Sequence, residues 1–179
     1  MPLCSDAQTF AETLTRKDSV AALQLLNSGT DVNALDNYGS SQLMTSCRWA
    51  DDWAVSFLLR HGAGVDNPKS PKGRTPLMIA CAYYSGYGIC RMLIDYGANV
   101  NAASTDNLTP LMLAAENAKL DVVELLLKVG ANANAKDASG KTAYDHAAKA
   151  DVSEYLKNSV KDTRLDKQGV IDMLAKAMK

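Results

Sequence analysis

The chain has 179 residues, 47% of them hydrophobic and 22% charged, with a formal net charge of −1. That balance fits one domain or a short repeat array and gives no whole-protein charge argument for nucleic acid or an anionic membrane as partner. The start lacks a basic region followed by an apolar stretch, and no apolar run approaches the roughly 18 residues that span a bilayer, so neither a cleaved secretory signal nor a membrane span is expected.

Residues 1–34 read as a capping unit of two short helices, the first carrying Phe10 and Leu14, the second Val20, Leu23 and Leu26, with a stop at Gly29. Residues 35–67 follow with a turn at Gly39, a helix start at Ser41-Gln42, a second helix opened by the acids Asp51-Asp52, and Leu58-Leu59 ahead of Gly62. Residues 68–102 repeat the order with Gly73, Thr75-Pro76 and Leu93-Ile94 before Gly97; residues 103–135 do so with Asn107, Thr109-Pro110 and Leu126-Leu127 before Gly130. Residues 136–160 form a degenerate last unit whose outer residues, Asp145, Lys149, Glu154 and Lys157, are polar, as a terminal repeat requires. In residues 161–179, Val170, Ile171, Leu174, Ala177 and Met178 trace one face of an extra helix, expected to cap the last unit; a partner-binding or membrane-touching tail is the alternative.

The period organises these elements. Gly29, Gly62, Gly97 and Gly130 recur at spacings of 33, 35 and 33, and Gly39, Gly73, Asn107 and Gly140 at 34, 34 and 33. A glycine past a helix terminates it in the left-handed conformation, which Asn also tolerates, and the Thr hydroxyl followed by proline suits a helix start. Two insertions, each of one residue, fall in the unit at 68–102: one within Asp66 to Lys72, the other within Tyr83 to Gly88.

Thr75-Pro76-Leu77-Met78-Ile79-Ala80 and Thr109-Pro110-Leu111-Met112-Leu113-Ala114 resemble the T-P-L-H-x-A signature of ankyrin repeats, and Gly97-Ala98-Asn99-Val100-Asn101-Ala102 resembles that family's hairpin segment. The resemblance spans about residues 5–160 and implies an all-α solenoid of four to five helix-loop-helix units joined by β-hairpin-like links. The family's usual His is replaced by Met44, Met78 and Met112, which read as flexible core packing, and by Asp145 in the last unit. The triplet Asp31-Val32-Asn33 resembles the surroundings of asparagines hydroxylated in some eukaryotic ankyrin proteins, with Asn101 and Asn134 at matching places; their expected role is to tie their own hairpin turns.

Little in the sequence suggests catalysis. His61 precedes a glycine stop and His146 lies in a first helix, neither in a nucleophile or metal-ligand motif. Ser85-Gly86-Tyr87-Gly88 lacks the Lys-Ser/Thr and the preceding strand of a phosphate loop. Cys4, Cys47, Cys81 and Cys90 show no metal spacing; Cys47 and Cys81 fall at one position of adjacent units, where packed helices stand about 8 to 10 Å apart, too far for a disulfide. The expectation is therefore no catalytic residue, no metal and no cofactor.

The resemblance implies binding through hairpin tips and the first-helix face, where side chains vary from unit to unit. By register the candidate binding residues are Tyr38, Ser40, Arg48, Trp49 and Trp53; Lys72, Arg74, Tyr83 and Tyr84; and Leu108, Glu116 and Asn117. Trp, Tyr and Arg concentrate interface energy, and the aromatics gather in the units at 35–67 and 68–102. From Arg60 to Ile94 five Lys and Arg face a single acid, Asp66. The expected function is a scaffold for another protein with an acidic surface, bound by these two units, the chain being a monomer on its own. The alternative is an inhibitor or immunity-type subunit that occludes a target enzyme. Single-stranded nucleic acid is the weaker option, since so small a basic segment would make few phosphate contacts. The expected location is the cytoplasm, or a host's cytosol if the protein is one that a bacterium delivers.

Overall fold

The computed structural model describes the backbone of residues 3–67, 70–83, 86–149 and 167–178. Tyr84 and the second helix expected for the last unit, with Glu154 and Lys157, lie outside the described residues, as do the side chains of Cys4 and Lys149.

Helices come in pairs: α1 (Leu3–Thr15) with α2 (Ser19–Asn27), α3 (Gln42–Arg48) with α4 (Asp52–Arg60), α5 (Pro76–Ala82) with α6 (Tyr87–Asp95), and α7 (Pro110–Glu116) with α8 (Leu120–Lys128). Then follow α9 (Ala143–Lys149) and α10 (Lys167–Ala177). Local chemistry sets the starts. The hydroxyls of Ser41, Thr75 and Thr109 each accept the N–H three residues on, from Met44, Met78 and Met112, at 3.3 Å, supplying a partner for a donor that the first helical turn cannot satisfy. In the last unit the cap is reciprocal: the Asp145 carboxylate accepts both the N–H and the hydroxyl of Thr142, at 2.8 Å each. That is the structural use of the acid standing where the family has His.

The stops work as the glycine series implies. Gly29, Gly62, Gly97 and Gly130 have φ between 86 and 101°, and the N–H after each turns back onto a carbonyl of the last helical turn, as Ala98 does onto Leu93 at 3.0 Å. Asn107 takes the turn position at φ 57°.

Two helix layers result. The first helices α3, α5, α7 and α9 pack in sequence, and behind them α4, α6 and α8 do the same, with α10 against both α8 and α9. One core runs between the layers; Leu43, Met44, Leu58, Leu77, Met78, Leu93, Leu111, Met112 and Leu126 are buried in it, together with Phe10 of α1 and Leu174 of α10. Each such Leu or Met contributes about 1.5–3 kcal/mol by leaving water, so the methionines are core, as expected. Cys47 and Cys81 are fully buried too.

The hairpin asparagines depart from expectation. Asn33 accepts the N–H of Gly64 at 2.7 Å and donates to the carbonyl of Gly62, and Asn101 accepts from Asn132 at 2.8 Å and donates to Gly130. They tie each hairpin to the next; Asp31, Asn99 and Asn132, two residues earlier, tie the hairpin's own turn. The side chain reaches along the stack because the repeats place the next hairpin within hydrogen-bond distance.

Candidate protein-binding groove

Each hairpin tip runs straight into the N-cap of a first helix, Ser41, Thr75 or Thr109, and is held by its own first residue. Asp36 Oδ1 accepts the N–H groups of Tyr38 and Ser40, both at 2.8 Å. Ser70 Oγ accepts the N–H of Arg74 at 2.8 Å and donates to its carbonyl at 3.1 Å. Ser104 and Asp137 do likewise for Leu108 and Lys141. These bonds fix the backbone that displays the variable side chains, which lowers the ordering cost of binding.

Tips also bond to one another, with one exception. Thr105 N–H donates to Lys72 O at 3.2 Å, and Ala138 N–H to Asp106 O at 2.9 Å. In the same register the next donor back would be residue 71, which is proline and has no N–H. There the tips come close without that bond among the described residues: a Cβ built on Gly39, at φ +72°, would lie 2.6 Å from Pro71 Cδ.

A groove of about 240 Å³ opens at this seam. Tyr38, Ser40, Arg48, Lys72, Arg74 and Tyr83 line it, with Met44 and Ile79 among the apolar residues and no carboxylate. Tyr83, just ahead of the second insertion, supplies one wall. Asn117 and Trp49 end their helices at ψ near 12 and 5°, whereas Tyr83, with one more residue before the next helix, is extended at ψ −154°. The Tyr83 ring lies under Arg48, whose guanidinium carbon is 4.8 Å from the ring centre, a cation–π contact.

Lys119 supports this wall from behind. It stands before α8, where Asp18 and Asp51 cap α2 and α4. Its ammonium instead reaches back to α5, donating to Ala80 O at 3.0 Å and to Tyr83 O. Burial, chiefly, lowers its pKa. Beside it the Cys81 thiol donates to the Cys90 sulfur, which pushes the Cys81 pKa up and draws that of Cys90 down. Both sulfurs are buried, away from the groove.

The other candidate residues are placed elsewhere. Trp49 caps α3 and is 69% exposed, beyond the groove lining. Trp53 is on α4, stacked on Phe57 at 5.3 Å between ring centres and packed on the core. Leu108 is half-buried against the core, Asn117 donates to Leu113 O within its own helix at 2.8 Å, and Glu116 is exposed. Sequence reasoning placed Pro71 at a hairpin tip by register but passed over Ser70 and Lys119; for Lys119 the available signal was a lysine in the register position where Asp18 and Asp51 cap α2 and α4. A larger cavity of about 530 Å³ lies on the second-helix side between α6 and α8. There Arg91 and Lys128 are matched by Asp95, Asp121 and Glu124, and Arg91 pairs with Asp95 at 2.9 Å, so it presents no single sign of charge. Among the described residues no group of His, Cys, Asp or Glu is placed to hold a metal, and no helix is long and apolar enough to cross a membrane.

Stacked helix pairs with glycine stops, hairpin tips and a lateral groove define an all-α repeat solenoid of the kind that presents side chains to partners. The family described as ankyrin repeats (3 copies) matches residues 13–104, and that described as ankyrin repeats (many copies) matches residues 93–147; the chain belongs to the ankyrin-repeat family. Similar curated proteins include "Putative E3 ubiquitin-protein ligase XBAT34" of Arabidopsis thaliana, 37% identical over 52% of this chain and 25% of that protein. Neurogenic locus notch homolog protein 1 of Xenopus tropicalis is 36% identical over 65% of this chain and 5% of its own length, and Alpha-latrocrustotoxin-Lt1a of Latrodectus tredecimguttatus 32% over 63% and 8%. The chain thus spans a quarter or less of these relatives, which it matches in their repeats. Ankyrin repeats of this kind serve protein interaction.

Proposed function

We propose that the chain is a non-catalytic scaffold that receives an acidic surface of a protein partner in the groove between the units at 35–67 and 68–102. One observation carries this reading: six side chains that the register singles out as variable, three of them cationic, meet around one concavity that no acid lines. Tyr38, 84% exposed, stands at its rim and Trp49 beyond it, large rings that a monomer keeps in water at a cost. Charge complementarity of this kind speeds encounter and selects partners.

The unit boundaries set out above, a cytoplasmic location and a monomeric state of the free chain belong to the same reading. In it α10 serves as a structural cap: Val170 and Leu174 are fully buried, and Gly169 approaches Leu120 of α8.

The test compares capture of binding proteins from the native lysate by three immobilised chains: wild type, Tyr38→Ala with Arg74→Ala, and Glu116→Ala with Asn117→Ala. A partner held by wild type and by the repeat-three variant but lost from the groove variant supports the proposal. Equal capture by all three sinks the site.

A further inference from the structure

We propose that the groove is a phosphoryl-recognition site, seating a phosphorylated side chain of the protein partner with Arg48, Lys72 and Arg74 around it. This rests on the scaffold reading above and specifies its ligand chemistry.

Three cations line one groove of about 240 Å³, and no carboxylate does. None of the three makes an ion pair among the described residues, whose pairs join Arg91 to Asp95 and His146 to Asp137. A single carboxylate brings one charge and two oxygens and is saturated by one guanidinium fork; a phosphoryl group brings close to two charges and three acceptor oxygens, enough to engage several cations at once. Ser40 and Tyr38, residues that carry hydroxyls, line the groove as well, a composition that suits a tetrahedral anion with more acceptors than the cations use.

The site is organised before a ligand arrives. The Tyr83 ring holds the Arg48 guanidinium over its face, with the guanidinium carbon 4.8 Å from the ring centre, which restrains the cation at the groove wall. Arg74 is fixed at its backbone from both sides by the Ser70 hydroxyl. Pro71 has no N–H with which to repeat at this seam the link that joins Thr105 to Lys72 at the next.

The experiment measures fluorescence anisotropy of a labelled nonapeptide of glycine and alanine with a central phosphoserine, alongside versions with serine and glutamate, titrated with the full chain. The phosphoserine peptide is expected to bind at least about tenfold more tightly than the glutamate peptide. Arg48→Gln and Arg74→Gln should each erase most of that preference while circular dichroism stays helical as in wild type, with Arg48→Gln lowering melting only by the small cost of the lost cation–π contact, and Lys128→Gln on the opposite face should preserve it. Inorganic phosphate should compete. Equal binding of the phosphoserine and glutamate peptides, no binding of either, or a preference unchanged in both arginine variants overturns the proposal. So does a single-stranded oligonucleotide that outcompetes the phosphopeptide in wild type, which would assign the groove to a nucleic-acid backbone. If the phosphoryl preference fails while Tyr38→Ala with Arg74→Ala still loses a captured partner, the scaffold reading stands without it.

Discussion

The guanidinium carbon of Arg48, at the end of α3, lies 4.8 Å over the ring of Tyr83, which caps α5. Two neighbouring units therefore share one wall of the groove. Tyr83→Ala removes a half-exposed cation–π contact, expected to cost about 0.5–1 kcal/mol of stability. Its effect on partner capture should be far larger than that, since Arg48 loses its orientation. Urea midpoints beside capture yields check both.

Lys119 carries the support of that wall across a repeat boundary. Lys119→Met keeps the bulk of the chain but strips the carbonyls of Ala80 and Tyr83 of their shared donor. The expected loss is about 1–3 kcal/mol, read as a lowered urea midpoint with an unchanged slope. An unchanged midpoint would show that the carbonyls find other partners.

Asp66 breaks the ladder that Asn33 and Asn101 build. Its Oδ2 accepts the N–H of Asn99 at 2.8 Å as the asparagines' oxygens do, but Oδ1 is buried with no hydrogen-bond partner among the described residues. At that place Asn33 and Asn101 donate an amide N–H to the carbonyls of Gly62 and Gly130. By register the carbonyl facing Asp66 is that of Gly97, and two acceptors cannot bond. Asp66→Asn supplies the donor and is expected to raise stability by about 1 kcal/mol, visible as a higher melting temperature.

Asp137 links stability to acid. The N–H of Lys141 above all, then that of Ser139 and the His146 ring at 3.1 Å, hold its carboxyl below the usual carboxylate value. A carboxyl depressed in the folded state binds protons more tightly once unfolded. Its contribution is therefore present above the ordinary value near 3.8 and lost as pH falls through the lower folded value. Asp137→Asn should lower the melting temperature at neutral pH, and the gap to wild type should narrow below pH about 4. A gap independent of pH would contradict this.

What the sequence made legible is what neighbouring residues decide among themselves. The Ser41, Thr75 and Thr109 caps act three residues along the chain, and the glycine stops act within five, so a single period exposes them. Six of the groove residues were legible for the same reason: tips and helix ends keep register. Trp53 was grouped with them because by register its ring stands where the unit at 103–135 has the polar Asp121, yet four residues past Trp49 it is on the other helix layer, where Phe57 takes it. Lys119, Pro71 and Asp66 act through neighbours 33 to 39 residues away or fail to, and such reach depends on how the units stack rather than on any local pattern.

Hydrogen–deuterium exchange of the chain, free and with its captured partner, tests the groove most directly. Protection is expected in residues 37–49 and 71–83, with residues 116–129 exchanging at the free rate. Protection confined to 116–129, or spread evenly along the first helices, would contradict binding at the seam between Tyr38 and Tyr83.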